Sequence, residues 1–173
     1  GVATALDYDQ QSASKNPKLS QVLSGDMDIA SIKRREKYAK VYLVEDEGVI
    51  ETIIVPVHGY GLWSTLYGFV ALEKDANTVA GFGFYQHGET PGLGGEVDNP
   101  KWKGMWPGKK AYTADGEVGL TIVKGTATAG SKHEIDGLSG ATLTSRGVDN
   151  LVKFWLGDRD YAGFLNNLKN GKA

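Results

Sequence analysis

The sequence predicts an α+β domain, an antiparallel β-sheet with helices packed against it. Two β-rich stretches, "KVYLVEDEGVIETIIVPV" and "TLYGFVALEKDANTVAGFGFYQ", each have the strand, turn, strand grammar of a hairpin. Val148, Leu151, Val152 and Trp155 then fall at i, i+3, i+4 and i+7, the stripe of an amphipathic helix that packs on the sheet.

In chain order, "QQSASKNPKLS" is polar and breaks at Pro17, so residues 1–18 read as an N-terminal arm and 19–173 as the domain. A short helix is expected near Leu19 to Leu23. The basic "IASIKRREKYAK" reads as a surface turn of helix and not as a nucleic-acid patch, because the acidic "EDE" follows almost at once. The first hairpin runs from Val41 to Val44, turns at Asp46-Glu47-Gly48 and returns from Val49 to Val57, with Pro56 near its end. In the second, "KDAN" is the turn, and period-two alternation puts Phe82 and Phe84 on one face. Gly88 to Gly116 has no period; a loop of this length is functional or disordered, and its tryptophans argue against disorder. Trp102 and Trp106 either cover a pocket, dock a partner or pack ordinarily, and packing is the safer reading. "EVGLTIVKG" is a further strand, the amphipathic helix ends at Gly157, and Tyr161 to Leu168 form a last short helix.

Composition bounds the function. A chain of 173 residues that is 40% hydrophobic and 23% charged is globular, and its formal net charge of -2 gives no electrostatic case for nucleic acid or an acidic membrane. The absence of cysteine excludes disulfides, a thiolate nucleophile and Cys-ligated metal. No apolar run is long enough for a membrane span, and an initial Gly in place of Met reads as the mark of a processed or trimmed protein.

The chemistry-bearing candidates are two glycine-rich blocks and one hydroxyl-rich stretch. "SGATLTS" lies directly before the amphipathic helix, where free backbone amides and the helix dipole make an anion site; equally, Thr144 or Ser145 caps the helix and the glycines make a turn. In "VHGYGLWSTLYG", Gly59 and Gly61 are either a strand-end bulge or a close backbone approach to a flat ligand, with Leu62 or Trp63 on its face. His58, His87 and His133 stand without a partner motif and read as satisfied surface or loop histidines. Glu89, Glu96, Asp98 and Asp136 lack the spacing of a metal loop, and no phosphate-binding glycine motif of the nucleotide type occurs.

Asp136, Ser139, Gly140, Ala141 and Thr142, in "DGLSGAT", resemble the flavinylation motif of FMN-binding domains: an Asp, two variable residues, Ser or Thr, Gly, Ala, and a final Thr or Ser to which FMN is esterified. "GETPGLGGEVDNPKW" and "PVHGYGLWSTLYGF" resemble the C subunit of the bacterial Na+-translocating NADH:quinone oxidoreductase more than its Rnf-complex relative. The likeness runs from about Val55 to the C-terminal helix. It implies FMN joined through its phosphate to Thr142 by a separate, Mg2+-dependent flavin transferase, so that Thr142 is an attachment point and not a catalytic nucleophile. It further implies an N-terminal membrane helix that this chain does not carry, an extracytoplasmic domain at the bacterial inner membrane, and neighbouring subunits of a redox pump as electron donor and acceptor.

On that reading Leu62, Trp63 and Leu93 pack on the flavin ring, and Thr90 with the Gly92 backbone hydrogen-bonds it. Thr144 belongs to the phosphate-binding helix start. Lys124 is either a solvated strand-end lysine or sits near the N1/O2 edge, favouring anionic reduced flavin. The domain is then an electron carrier without a complete active site of its own. The alternatives are an Rnf-type subunit with the same covalent FMN, and a non-redox module that binds a partner or small anion.

Overall fold

The computed structural model describes residues 6–172. It opens with helix α1 (Gln10–Lys15), whose N-cap Asp9 accepts a hydrogen bond from the Ser12 amide. Strands β1 (Ser20–Val22) and β2 (Arg34–Glu36) pair as a small antiparallel ribbon.

Two expectations fail here. Leu19 to Leu23 is not helical, because Ser20 to Val22 pair with β2. The basic segment is not a helical turn either. The Asp28 carboxylate accepts from the Ile32 and Lys33 amides, and Ser31 and Lys33 take positive φ angles of 53° and 65°, which reverses the chain. The stretch read as an arm contains α1, which docks on this ribbon as Gln10 donates to Glu36 and accepts from the Lys40 amide.

Strands β3 (Tyr42–Asp46), β4 (Val49–Tyr60), β5 (Thr65–Glu73) and β6 (Val79–Gln86) form an antiparallel sheet in that order. Both expected hairpins are present. The first turns through Glu47 and Gly48, with φ angles of 49° and 80°, the left-handed pair that matches strand twist in a two-residue loop. Pro56 sits in β4 beyond the end of β3 and directs its carbonyl to the Tyr161 hydroxyl, so the missing N–H costs the ladder to β5 nothing.

Alternate β5 residues Leu66, Val70 and Leu72 are fully buried on the core face. Phe82 stacks on Trp106 at 3.8 Å between centroids and meets Phe84 edge-on at 5.0 Å. Trp102 and Trp106 are both buried, which confirms packing as their role. Between the strands, the long glycine-rich segment is ordered into a 3-10 turn (Gly94–Asp98) and helix α2 (Pro100–Lys103), capped by Asn99. Strands β7 (Thr121–Ile122) and β8 (Glu134–Ile135) pair in parallel, so the expected strand in "EVGLTIVKG" shrinks to two residues.

Helix α3 (Thr142–Trp155) carries the predicted stripe, and Val148, Leu151, Val152 and Trp155 are all buried. Each aliphatic side chain there stabilises the fold by about 2 kcal/mol. Two glycines allow α3 to sit directly on the end of β4. A Cβ at Gly147 would fall 2.4 Å from the Tyr60 carbonyl oxygen, and one at Gly59 would fall 2.5 Å from Leu151 Cβ. The Trp155 indole donates to the His58 carbonyl at 2.7 Å, which pins the other end of the contact. Helix α4 (Tyr161–Lys169) closes the fold. Among the described residues no helix is long and apolar enough to cross a membrane.

Candidate functional site

Three segments meet at the start of α3: the turn from Gly61 to Ser64 between β4 and β5, the loop from Glu89 to Gly95, and residues 136–146. Their meeting point is the Glu89 carboxylate, which is only 5% exposed. It accepts from the amides of Leu62 (3.2 Å), Trp63 (3.0 Å) and Ser64 (3.1 Å), from the Ser64 hydroxyl (3.0 Å), and from the Thr144 hydroxyl (2.6 Å). Burial pushes its pKa up, but the donors led by Thr144, Trp63 and Leu62 outweigh it and hold the group below the usual glutamate value. Glu89 is therefore an anion in place.

Thr144 and Ser145 do not cap α3. The N-cap is Ala141, and no side chain bonds the helix start. Both hydroxyls lie inside the helix and are buried: Thr144 donates to Glu89, and Ser145 accepts from the Leu138 amide at 2.9 Å. The capping explanation of "SGATLTS" is thereby lost. What remains is an uncapped helix start whose first residue, Thr142, is exposed. Its first-turn amides and dipole suit a phosphate.

Apolar surface surrounds that start. Trp63 is 66% exposed, Leu93 44% and Leu143 51%, high values for side chains of this kind. Leu93 reaches the motif itself, since a Cβ on Gly140 would lie 3.2 Å from Leu93 Cδ2, and Gly140 holds a φ of 70°. Leu62 is half-buried beside Trp63, and Ser139 is exposed in the turn before the helix. Thr90 is exposed, while its carbonyl accepts from the Leu93 and Gly95 amides and shapes the loop around Gly92, whose φ is 76°.

The other flank of Thr142 is a cleft of about 200 Å3 shared with Lys124, Gly125, Arg146 and Asp149. Lys124 thus lies by the attachment candidate. Asp136 works from behind: its carboxylate accepts from the Ala127 amide and its carbonyl from the Trp102 indole, fixing the approach to the turn. The acids near Thr142 have other partners. Asp149 accepts from Thr121, from the Ile122 amide and from Lys153, and Glu89 is occupied as described. Neither is free to act as a base on the Thr142 hydroxyl.

His58 and His133 lie apart from this site, whereas the His87 ring accepts from the Glu89 amide at 3.1 Å. His58 is buried in β4, not on the surface or in a loop, with its ring stacked on Tyr67 at 5.4 Å and tilted on Trp155 at 5.0 Å. Burial lowers its pKa to about 4. His87 bonds Asp98 at 2.8 Å, and His133 meets the Lys110 carbonyl at 2.9 Å.

Sequence reasoning missed Glu89, Leu143 and Arg146 as parts of the site. Leu143 carried a visible signal, a leucine off the helix's apolar stripe. Arg146 carried one as well, a cation four residues after Thr142 and so on the same helix face.

Residues 61–157 match the model of the FMN-binding domain. The C subunit of the Na+-translocating NADH-quinone reductase from Pseudomonas aeruginosa is 61% identical over 171 residues, covering 97% of this chain and 66% of that protein. Its counterpart from Vibrio alginolyticus is 49% identical, with 97% and 66% covered. The chain thus spans about two-thirds of the length of these curated relatives. The crystal structure of Shewanella oneidensis NqrC superposes with a TM-score of 0.90 at 42% identity, covering 98% of this chain and 78% of that one.

Proposed function

Since this chain belongs to the FMN-binding domain family, among the C subunits of the Na+-translocating NADH-quinone reductases, we propose that it carries electrons on an FMN esterified to Thr142. The observation that supports this most is the exposed Thr142 at the uncapped start of α3. A phosphodiester there keeps about one negative charge, which the first-turn amides and dipole stabilise. Lys124 and Arg146, lining the same cleft, add cationic charge within reach of it.

Bound FMN supplies one-electron chemistry, and the chain's part is to hold, cover and polarise it. Trp63, Leu93 and Leu143 offer the apolar cover, with half-buried Leu62 next in the chain to Trp63. Thr90 and the Gly92 backbone offer hydrogen bonds on the same side. Gly140, with its left-handed φ, and the small Ser139 and Ala141 keep the anchor turn free of bulk. Asp136 braces that turn from behind. Because Glu89 and Asp149 are occupied, attachment calls for an outside agent, a flavin transferase. In the whole protein we place this domain on the periplasmic side of the inner membrane, anchored by a preceding helix and exchanging electrons with other subunits of the reductase.

The test is denaturing electrophoresis of protein made alongside the transferase. A flavin-fluorescent band that survives detergent and vanishes in Thr142→Ala is expected, with an FMN-sized mass increment on the Thr142 peptide. A colourless wild-type band overturns the covalent assignment and leaves the non-redox module as the better account.

A further inference from the structure

Donors from two separate segments converge on Glu89. Four come from the turn at 62–64 and one, the Thr144 hydroxyl, from the first turn of α3. Backbone shape makes room for the meeting. A Cβ on Gly61 would lie 2.8 Å from Glu89 Oε1, and one on Gly94 would lie 2.9 Å from Oε2 and 2.5 Å from Thr144 Oγ1. Among the described residues Glu89 forms no ion pair, so hydrogen bonds alone hold its charge.

The two segments joined in this way are the two halves of the proposed site. One carries Leu62 and Trp63, and the other begins at Thr142, two residues before Thr144. We infer that Glu89 is a positioning residue for the flavin: its carboxylate clamps the Trp63 turn to the anchor helix and keeps a fixed anion between the two. The inference rests on the flavin reading above. A buried anion with no counter-cation opposes the arrival of an electron nearby, so Glu89 lowers the potential while Lys124, across the anchor, raises it.

The experiment uses the protein flavinylated by co-expressed transferase, as wild type, Glu89→Gln and Thr144→Val. Flavin mass on wild-type Thr142 is established first, and its absence defeats the flavin reading independently of Glu89. In Glu89→Gln the one-electron reduction equilibrium is expected to rise about tenfold, a potential shift of about 59 mV. In Thr144→Val, an isosteric change that cuts the bond to the helix and leaves Thr142 intact, flavin fluorescence anisotropy is expected to fall while the flavin stays attached. A folded, flavinylated Glu89→Gln at the wild-type potential overturns the inference. Where Glu89→Gln does not fold, Thr144→Val decides: lowered anisotropy supports the clamp, and wild-type anisotropy overturns it.

Discussion

Glu36 and Glu89 are both nearly closed to solvent, at 1% and 5% exposure, and yet are held in opposite states. Glu36, in β2 of the N-terminal ribbon, receives one side-chain donor from Gln10 of α1, and its Oε2 has no partner. Burial dominates, and its pKa is raised. Glu89 receives five donors, and its pKa is lowered despite burial. Glu36 lies deeper among protein atoms and has fewer donors, so its charge is disfavoured, while five donors keep Glu89 charged. The charged one stands at the candidate site.

Removing the better-supplied group should cost most. Glu89→Ala leaves the Leu62, Trp63 and Ser64 amides and the Thr144 hydroxyl without their acceptor, and about 3 kcal/mol of stability is expected to go. Urea unfolding measures it, and a loss within error of zero would show that water replaces the carboxylate. Next comes the space around that carboxylate. Gly94→Ala drives a methyl group against Thr144 Oγ1 and Glu89, and about 2 kcal/mol of destabilisation is expected, read as a lowered thermal midpoint.

His58 extends the comparison to a base. Its folded pKa of about 4 lies below the ordinary 6.5, so the unfolded chain takes up a proton that the native chain refuses. Stability is lost as pH falls through 6.5 and levels off below 4. Between pH 7 and pH 5 the loss from this group is about 2 kcal/mol, and His58→Phe is expected to abolish that part of the pH dependence in denaturant titrations.

The smallest effects test the glutamates directly. For Glu36, with its raised pKa, the stability contribution is present below the ordinary value of 4.5 and is lost as pH rises through the folded value. For Glu89, with its lowered pKa, the contribution is present above 4.5 and is lost as pH falls through the folded value. Glu36→Gln is therefore expected to gain on wild type toward neutral pH, and Glu89→Gln to gain on it toward acid. Equal slopes in the two variants would erase the distinction between the sites.

The sheet and main helix were legible because their determinants are local. Glu47-Gly48 supplies the left-handed turn, Leu66, Val70 and Leu72 alternate, and the α3 stripe repeats at helical spacing. The N-terminal ribbon was not, since its course depends on the Asp28 side chain capturing backbone amides and on non-glycine residues at positive φ. β7 was legible as part of a longer expected strand, whereas β8, at two residues, is shorter than any period that could reveal it. At the candidate site the anchor motif was readable as a contiguous string. Glu89 was not, because Thr144 is 55 positions away from it and the turn donors are 25 to 27 away, separations at which sequence spacing carries no information.

The backbone-to-backbone seat of α3 on β4, at Gly147 and Tyr60, has a mechanical consequence. A side-chain interface yields by rotamer changes, but two main chains in contact have nothing soft between them. A group esterified to Thr142 would inherit the stiffness of the sheet through that seat. That seat itself would add no slack between such a group and the sheet.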